Sequence, residues 1–355
     1  MTDTTEAPEL APDVEQAPTR TAMAMIEGVA HVMADRIVTS AEIEDMVQAQ
    51  SPDFAVPRGD LANVTGCLTR RFAEDDEYSS TFAIAAAKKV MEDTGTSPDE
   101  IDLVIFASSS HDIGEPATVH IVQEQIGTRA SAFDLKNACN SFINAMQVAE
   151  NMIAGGAATK VLICTGEVPT RAIRWSVPDQ ETWRRSFAGY TVGDGGAAMI
   201  MGKPRDGRGI WHRNFQAESE HWRIMTVMGG GTRHPRDLEY SYFSSDGSSL
   251  RKVFQNFAPR VMAEAFIGSG TTFEDFDLIL VHQVSKTQIE SISQDYDVDM
   301  NKFVMSLPRY GNISSCSLPL QLDEAIQDGR VGPGSKVMMV GLGAGISVNV
   351  MMLTL

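Results

Sequence analysis

Short apolar runs alternate along this chain with longer segments whose apolar positions recur at helical spacing. Leu103-Val104-Ile105-Phe106-Ala107, Val161-Leu162-Ile163-Cys164, Leu278-Ile279-Leu280-Val281 and Val337-Met338-Met339-Val340 show no polar alternation. They predict strands covered on both faces, as in a mostly parallel sheet between helices. Phe142, Ile143, Met146, Ala149, Met152 and Ile153 predict a largely buried helix from about Asn140 to Ala154, stopped by Gly155 and Gly156. Asn140, Ser141, Asn144, Gln147 and Asn151 give that helix one narrow polar stripe, and a strand-like run from Ser131 to Leu135 leads into it.

The pattern occurs twice. Glu100-Ile101-Asp102-Leu103-Val104-Ile105-Phe106-Ala107 is matched by Asp275-Phe276-Asp277-Leu278-Ile279-Leu280-Val281-His282, and Lys160-Val161-Leu162-Ile163 by Lys336-Val337-Met338-Met339. The offsets are 277 − 102 = 175 and 336 − 160 = 176. Two independent pairs agree within one residue, which predicts an internal duplication of an α/β unit. The expected division is a disordered acidic tail at 1–21, a first half at 22–205 and a second half at 206–355. The tail is rich in Pro, Thr and Ala and lacks the basic and apolar regions of a signal peptide.

Cys139 lies at or just before the start of the Asn140–Ala154 helix, where free N–H groups and the macrodipole favour a thiolate. Free Cys is more commonly a small buried hydrophobe, and the motif alone leaves both readings open. Adding about 175 to 139 lands on Asn312 to Ser315, again a loop before a helix (about Leu318 to Gln327, ended by Gly329). Cys139 and Asn312 are therefore expected at matching places in the two halves. His282 ends a second-half strand, and ligands of open α/β sheets gather beyond the carboxyl ends of strands.

Bulk properties narrow the function. The 355 residues, 43% hydrophobic and 21% charged, suffice for a duplicated core. A net charge of −18 argues against nucleic acid as a partner. No run of 18 apolar residues predicts a membrane span. Cys67, Cys139, Cys164 and Cys316 are widely spaced with no C-x-x-C pair, which argues against zinc or a disulfide framework and fits the cytoplasm. Cys164 and Cys316 are expected to pack rather than react. His31, His111, His120, His212, His221 and His234 show no ligand spacing. Gly193-Asp194-Gly195-Gly196 lacks the Lys-Ser/Thr of a phosphate loop and reads as a structural turn near the active site. Gly343-x-Gly345 fails as a dinucleotide fingerprint because a strand follows.

Ala138-Cys139, Gly193 to Ala198, Val281-His282-Gln283, Tyr310 to Ser315, Leu322 to Ala325, Asp328-Gly329-Arg330 and Gly341 to Gly345, in this order and spacing, resemble a β-ketoacyl-ACP synthase III of the thiolase superfamily. The resemblance runs from about Ala22 to Leu355. It implies a duplicated five-layered α-β-α-β-α fold, usually a homodimer. It implies Cys139, His282 and Asn312 as a catalytic triad, and the backbone amides of Cys139 and Ala344 as an oxyanion hole. It implies no permanently bound cofactor, and acyl-CoA or acyl-ACP with a malonyl thioester as substrates.

The chemistry follows from residue types. A thiolate at Cys139, activated by its helix N-terminus and a nearby imidazole, would attack a thioester and become acylated. His282 and Asn312 would offer neutral N–H donors to the enolate left when a malonyl group loses CO₂. A carboxylate at 312 would repel that enolate, so Asn favours decarboxylative carbon–carbon bond formation. Two departures mark the chain. The family's Asn and Arg after the catalytic His are here Ser285 and Thr287, flanking Lys286, and its adenine-contacting Trp and Arg are missing from Asp60 to Gly66. The segments Pro52–Tyr78 and Thr170–Tyr190 are longer than usual, in places where substrate loops would sit. Together these predict altered coenzyme A recognition and a specialised role in polyketide or other secondary metabolism.

Arg171, Arg174, Gly247, Arg251, Lys252, Ser285 and Lys286 are the candidate substrate- or carrier-binding residues, with Arg184 and Arg185 as further cations. The alternative for each cation is a solvated charge on an acidic surface. Met225, Met228 and Phe243 are candidates for lining an acyl tunnel. An acyltransferase of the same fold, moving the acyl group to an alcohol or amine, and a non-catalytic partner subunit are the competing functions.

Overall fold

The computed structural model describes residues 22–355, so the expected tail at 1–21 lies outside the described residues. The first half contains β1 (Met25–Met33), β2 (Arg36–Thr39), α1 (Ser40–Gln50), α2 (Asp60–Thr65), β3 (Thr69–Phe72), α3 (Ser79–Thr94) and β4 (Leu103–Ala107). It continues with α4 (Val119–Ile126), β5 (Ser131–Leu135), α5 (Ser141–Ala154), β6 (Lys160–Glu167), α6 (Gln180–Ser186) and β7 (Gly195–Gly202). The second half contains β8 (Gly209–Ala217), β9 (Met225–Thr226), β10 (Ser244–Ser245), α7 (Gly247–Ser269), β11 (Leu278–Val281) and α8 (Lys286–Asp295). It ends with α9 (Leu307–Tyr310), α10 (Ser317–Gln327), β12 (Lys336–Gly343) and β13 (Ser347–Thr354).

Two sheets organise the chain, one ordered β1-β7-β6-β4-β5 and the other β11-β12-β13-β8. β4 pairs in parallel with β5 and β6, and β11 in parallel with β12, while the remaining pairs are antiparallel. The second sheet has no full counterpart of β5. A single parallel bridge, Ile279 to Phe303, stands in its place.

The uninterrupted apolar runs are explained by layers. Along β4, Leu103, Ile105 and Ala107 enter one core while Val104 and Phe106 enter another. β12 divides likewise, with Val337 and Met339 inward and Met338, Val340 and Leu342 outward. Period-2 alternation is present, but both faces are apolar because both are covered. The shared central core holds α5 and α10 between the two sheets, through Phe142, Met146, Ala149, Leu318 and Leu322. α3 and α4 cover the far face of the first sheet, and α7 and α8 that of the second. This is the expected five-layered α-β-α-β-α arrangement. At roughly 1.5–3 kcal/mol per fully buried large apolar side chain, the central layer is a main source of stability.

The polar stripe on α5 has a partner in the other half. Asn140 Nδ2 donates to Ser347 Oγ at 2.8 Å, and Asn349 Nδ2 donates to Asn144 Oδ1 at 3.0 Å. Buried Glu150, also on α5, binds Arg213 of β8 at 2.7 Å. The long segments at Pro52–Tyr78 and Thr170–Tyr190 pack against each other instead of forming open loops. Leu61, Phe72, Ile173, Val177, Trp183 and Tyr190 make a separate small core with Val38, Ile43 and Val47, and the Trp183 and Tyr190 rings stack at 4.9 Å. Among the described residues, no helix is long and apolar enough to cross a membrane.

Candidate functional site

Cys139 sits in a tight turn between β5 and α5. Ala138, just before it, has φ +47°, a left-handed conformation that costs an L-residue roughly 1–2 kcal/mol. The turn is tied by the Ser141 hydroxyl, which donates to Ala138 O at 2.7 Å and accepts from the Asn137 N–H at 2.8 Å. Beneath it, Asn140 lies against β12. A Cβ on Gly341 would stand 2.2 Å from Asn140 Oδ1, so this approach requires glycine.

The same turn recurs in the second half. Ser314 has φ +50°. The offset 314 − 138 = 176 equals that between the helix starts, 317 − 141 = 176. The counterpart of Cys139 is therefore Ser315, and the expected match of Cys139 with Asn312 is corrected. Sequence spacing located the loop but could not show which residue carries the turn's unusual φ.

Asn312 nonetheless reaches Cys139 through one residue. Its Oδ1 accepts from the Ser314 N–H at 3.0 Å, and Ser314 Oγ lies 3.7 Å from Cys139 Sγ. Its backbone is clamped by Asn312 N–H to Thr191 O at 2.8 Å and Gly193 N–H to Asn312 O at 3.1 Å. The Gly193–Gly196 motif lies beside the site, but the expected turn is corrected: Gly193 and Asp194 lead straight into β7, whose first residues are Gly195 and Gly196. Asp194 is buried and accepts from the Ala73 N–H and the Thr170 hydroxyl at 2.8 and 2.6 Å. Burial pushes the Asp194 carboxyl up to about 6.

His282 follows β11, 1% exposed, with its N–H on Val340 O at 2.9 Å. Its Nδ1 lies 3.0 Å from Ser317 Oγ at the start of α10, and its Nε2 is buried without a partner among the described residues. Burial holds the imidazole down to about 4, so it is neutral at physiological pH.

The thiol behaves differently from the sequence expectation. Burial pushes Cys139 up to about 11, against a lowering contact from Ser314. The helix begins only at Ser141, and the nearby N–H groups of Asn140 and Ser141 are already spent on Asn137 O and Ala138 O at 3.0 and 3.1 Å. Desolvation therefore outweighs the helix terminus, and the resting group is the thiol. Cys164 and Cys316 are fully buried, and burial raises both.

Ala344 follows β12 and borders a cleft of about 480 Å³ that is also lined by Trp222, Met225, Val227, Met228 and Arg233. Met225 and Met228 are thus placed beside Ala344, whereas Phe243 packs on Gly189. The candidate cations fall into two groups. Arg171 contacts Asp75 and Glu74 O, Arg174 contacts Glu239 and lies over the Tyr242 ring at 4.3 Å, and Lys286 pairs with Glu290 at 3.1 Å. Ser285 caps α8 through Gln288 N at 3.3 Å. Gly247 opens α7, and Arg251 and Lys252 on its next turn are exposed with no ion pair among the described residues. Gly66 and Lys286, from the two departing segments, touch: a Cβ on Gly66 would lie 2.5 Å from the Lys286 Cβ.

Sequence reasoning missed Ser109 and Glu167, and gave Ser314 and Ser315 no role of their own although it placed the Asn312–Ser315 loop at the site. Glu167 ends β6 with no exposure, and its carboxylate accepts from the Ser109 N–H and hydroxyl at 2.9 and 2.6 Å. It also accepts from the Ser110 hydroxyl at 2.9 Å and from Ser315 Oγ. A charged residue closing an apolar strand was the available signal. The described residues contain no cluster of three or more His, Cys, Asp or Glu that could hold a metal.

Comparison with known proteins agrees with this architecture. Residues 133–219 match the 3-oxoacyl-[acyl-carrier-protein] synthase III family, and 268–355 match its C-terminal region. The β-ketoacyl-[acyl-carrier-protein] synthase III of Symbiobacterium thermophilum is 33% identical over 331 residues, covering 90% of this chain and 94% of the relative. That of Roseiflexus sp. is 32% identical over 334 residues, covering 91% and 96%. Cerulenin-bound OleA of Xanthomonas campestris superposes with a TM-score of 0.86 at 26% identity, covering 95% of this chain and 98% of OleA. A cysteine-to-serine OleA variant with bound lauric acid and lauroyl-CoA gives 0.85 at 26%, covering 94% and 100%. With the duplicated layers, the paired turns and relatives matched along nearly their whole length, the chain belongs to the β-ketoacyl-ACP synthase III family of thiolase-fold condensing enzymes.

Proposed function

We propose that the protein catalyses a decarboxylative Claisen condensation. Cys139 takes an acyl group from acyl-CoA or acyl-ACP: its sulfur bonds to the thioester carbon, and the carrier thiolate leaves and is protonated. The oxyanion of that step would be met by the backbone amides of Cys139 and Ala344, a kind of contact worth roughly 3–4 kcal/mol. A malonyl thioester then loses CO₂. Its enolate oxygen is held by His282 and Asn312, and its carbon attacks the Cys139 thioester, giving a β-ketoacyl product and freeing the sulfur.

The observation that carries this reading is the buried, neutral imidazole of His282 with an unpartnered Nε2. If the Ser317 hydroxyl donates to Nδ1, the ring proton sits on Nε2, which becomes a neutral donor suited to an enolate. In this reading 22–205 supplies the nucleophile and 206–355 the enolate donors. The enzyme works as a cytoplasmic homodimer without a permanently bound cofactor, in polyketide or other secondary metabolism. The apolar cleft beside Ala344, together with OleA's bound lauroyl-CoA, supports a long acyl chain. Exposed Arg251 and Lys252 are the proposed contacts for a phosphopantetheine phosphate or an acidic carrier, with Arg171, Arg174, Ser285, Lys286 and Gly247 shaping the approach.

The test is to incubate the protein with a panel of acyl thioesters, read the mass shift on Cys139, then add carboxyl-labelled malonyl-ACP. Released labelled CO₂ with a β-ketoacyl product is expected. An ester or amide without CO₂ release would identify an acyltransferase, and no adduct with any thioester would identify a non-catalytic subunit.

A further inference from the structure

The resting thiol must lose a proton before it attacks, and its one side-chain hydrogen-bond contact is Ser314 Oγ at 3.7 Å. Behind Ser314 lies Ser109, Oγ to Oγ at 3.0 Å, and behind Ser109 lies Glu167 Oε2 at 2.6 Å. The Ser109 hydroxyl donates to Glu167 Oε2, which orders the hydroxyls behind it. The Ser109 hydrogen is spent on Glu167. The remaining donor between Ser109 and Ser314 is therefore Ser314, whose one hydroxyl hydrogen also serves Cys139 Sγ at 3.7 Å. When that hydrogen turns to Ser109, the Ser314 oxygen is free to accept the Cys139 proton. Glu167 has no exposure, and no Lys, Arg or His pairs with it among the described residues. Cys139 and Cys316 are the titratable groups that face it.

We propose that this chain is a proton relay: as Cys139 attacks the acyl thioester, its proton passes through Ser314 and Ser109 to Glu167, away from the substrate and from His282. The Cys139 S–H bond breaks and Ser314 gains that hydrogen. Ser314 gives its own to Ser109, and Ser109 gives its own to Glu167 Oε2. Both serines end neutral, the sulfur carries the negative charge that forms the new S–C bond, and Glu167 is left as the carboxylic acid. The reversed chain has Ser314 donating to sulfur, which stabilises a thiolate leaving group when the acyl chain departs in the second half-reaction. Neutral His282 is kept free for the enolate. Ser314 touches the reacting atom, while Ser109 and Glu167 act through it.

This inference rests on Cys139 being the acylated nucleophile, and the test separates the two. Single-turnover acylation by an acyl-CoA is followed by intact mass from pH 6.5 to 10 for the wild type, Ser109→Ala and Glu167→Gln, with melting curves to confirm folding. The expected result is a loss on the order of 10- to 100-fold at pH 7 in both variants, with the half-saturating thioester concentration unchanged. The loss should shrink toward pH 10, where hydroxide takes the proton directly. A structural defect would give the same loss at every pH. Should either variant fail to fold, the wild type alone decides: acylation rates in mixtures of H₂O and D₂O should bow downward, because several protons move together. Wild-type rates in variants, a pH-independent loss or a linear isotope plot would each overturn the relay. No acylation of wild-type Cys139 would instead overturn the nucleophile assignment.

Discussion

Acid stability isolates the burial of His282. The native imidazole titrates at about 4, whereas an unfolded chain leaves it near the ordinary 6.5. Between those values the unfolded state binds a proton that the native state refuses, so stability falls as pH falls from about 6.5 to about 4 and levels off below. The gap of 6.5 − 4 = 2.5 units corresponds to roughly 3 kcal/mol, with about 1.2 kcal/mol of it lost between pH 6 and 5. Asp194 works the other way. Its carboxyl, raised from 3.8 to about 6, binds a proton in the native state before the unfolded one, so acidification through 6 toward 3.8 restores stability. The two windows overlap, and the wild-type profile should be flatter than either group alone would give. His282→Asn keeps a neutral amide of similar size and removes only the imidazole titration. Urea unfolding of both proteins at half-unit steps from pH 7 to 4 should show the variant gaining on the wild type by roughly 3 kcal/mol as pH falls. Parallel curves would mean that the ring is accessible to protons in the native state, and the account of His282 as a buried neutral donor would fail.

Alkylation of Cys139 by iodoacetamide, followed by peptide mass, should keep rising with pH toward about 11, because burial holds the thiol protonated; a plateau by pH 8 would show that the helix terminus wins after all. Gly166→Ala should fail to fold or lose more than about 4 kcal/mol by chemical denaturation, since the new Cβ would lie 1.7 Å from Ser79 O where α3 meets β6; near-wild-type stability would contradict that packing.

The strands were legible because chains buried on both faces leave uninterrupted apolar runs, and the offsets of 175 and 176 survived because the strand–helix spacing is set by the sheet. The strand Ser131–Leu135 and the helix ending at Ala154 fall where the pattern put them. The layer order came from the resemblance, since periodicity does not say which helix lies between two sheets. Three features were beyond the sequence. The ionisation of Cys139 turned on burial and on backbone donors already spent locally, neither visible in a motif. The match of Cys139 with Ser315 turned on a φ angle. Glu167, Ser109 and Ser314 are joined across loops far apart in the chain, and serine carries no periodic signal. The long segments read as substrate loops hold an aromatic core of their own, because Trp183, Tyr190, Phe72 and Leu61 find each other instead of solvent.

The two left-handed residues, Ala138 and Ser314, have an outcome for how such an enzyme can be tuned. One bend presents its next side chain outward as sulfur. The other turns its next side chain, Ser315, inward onto Glu167 and to Thr165 Oγ1 at 2.8 Å. Selection or engineering can therefore adjust the reactive sulfur from the silent bend, by substitutions that never enter the space where a thioester would lie.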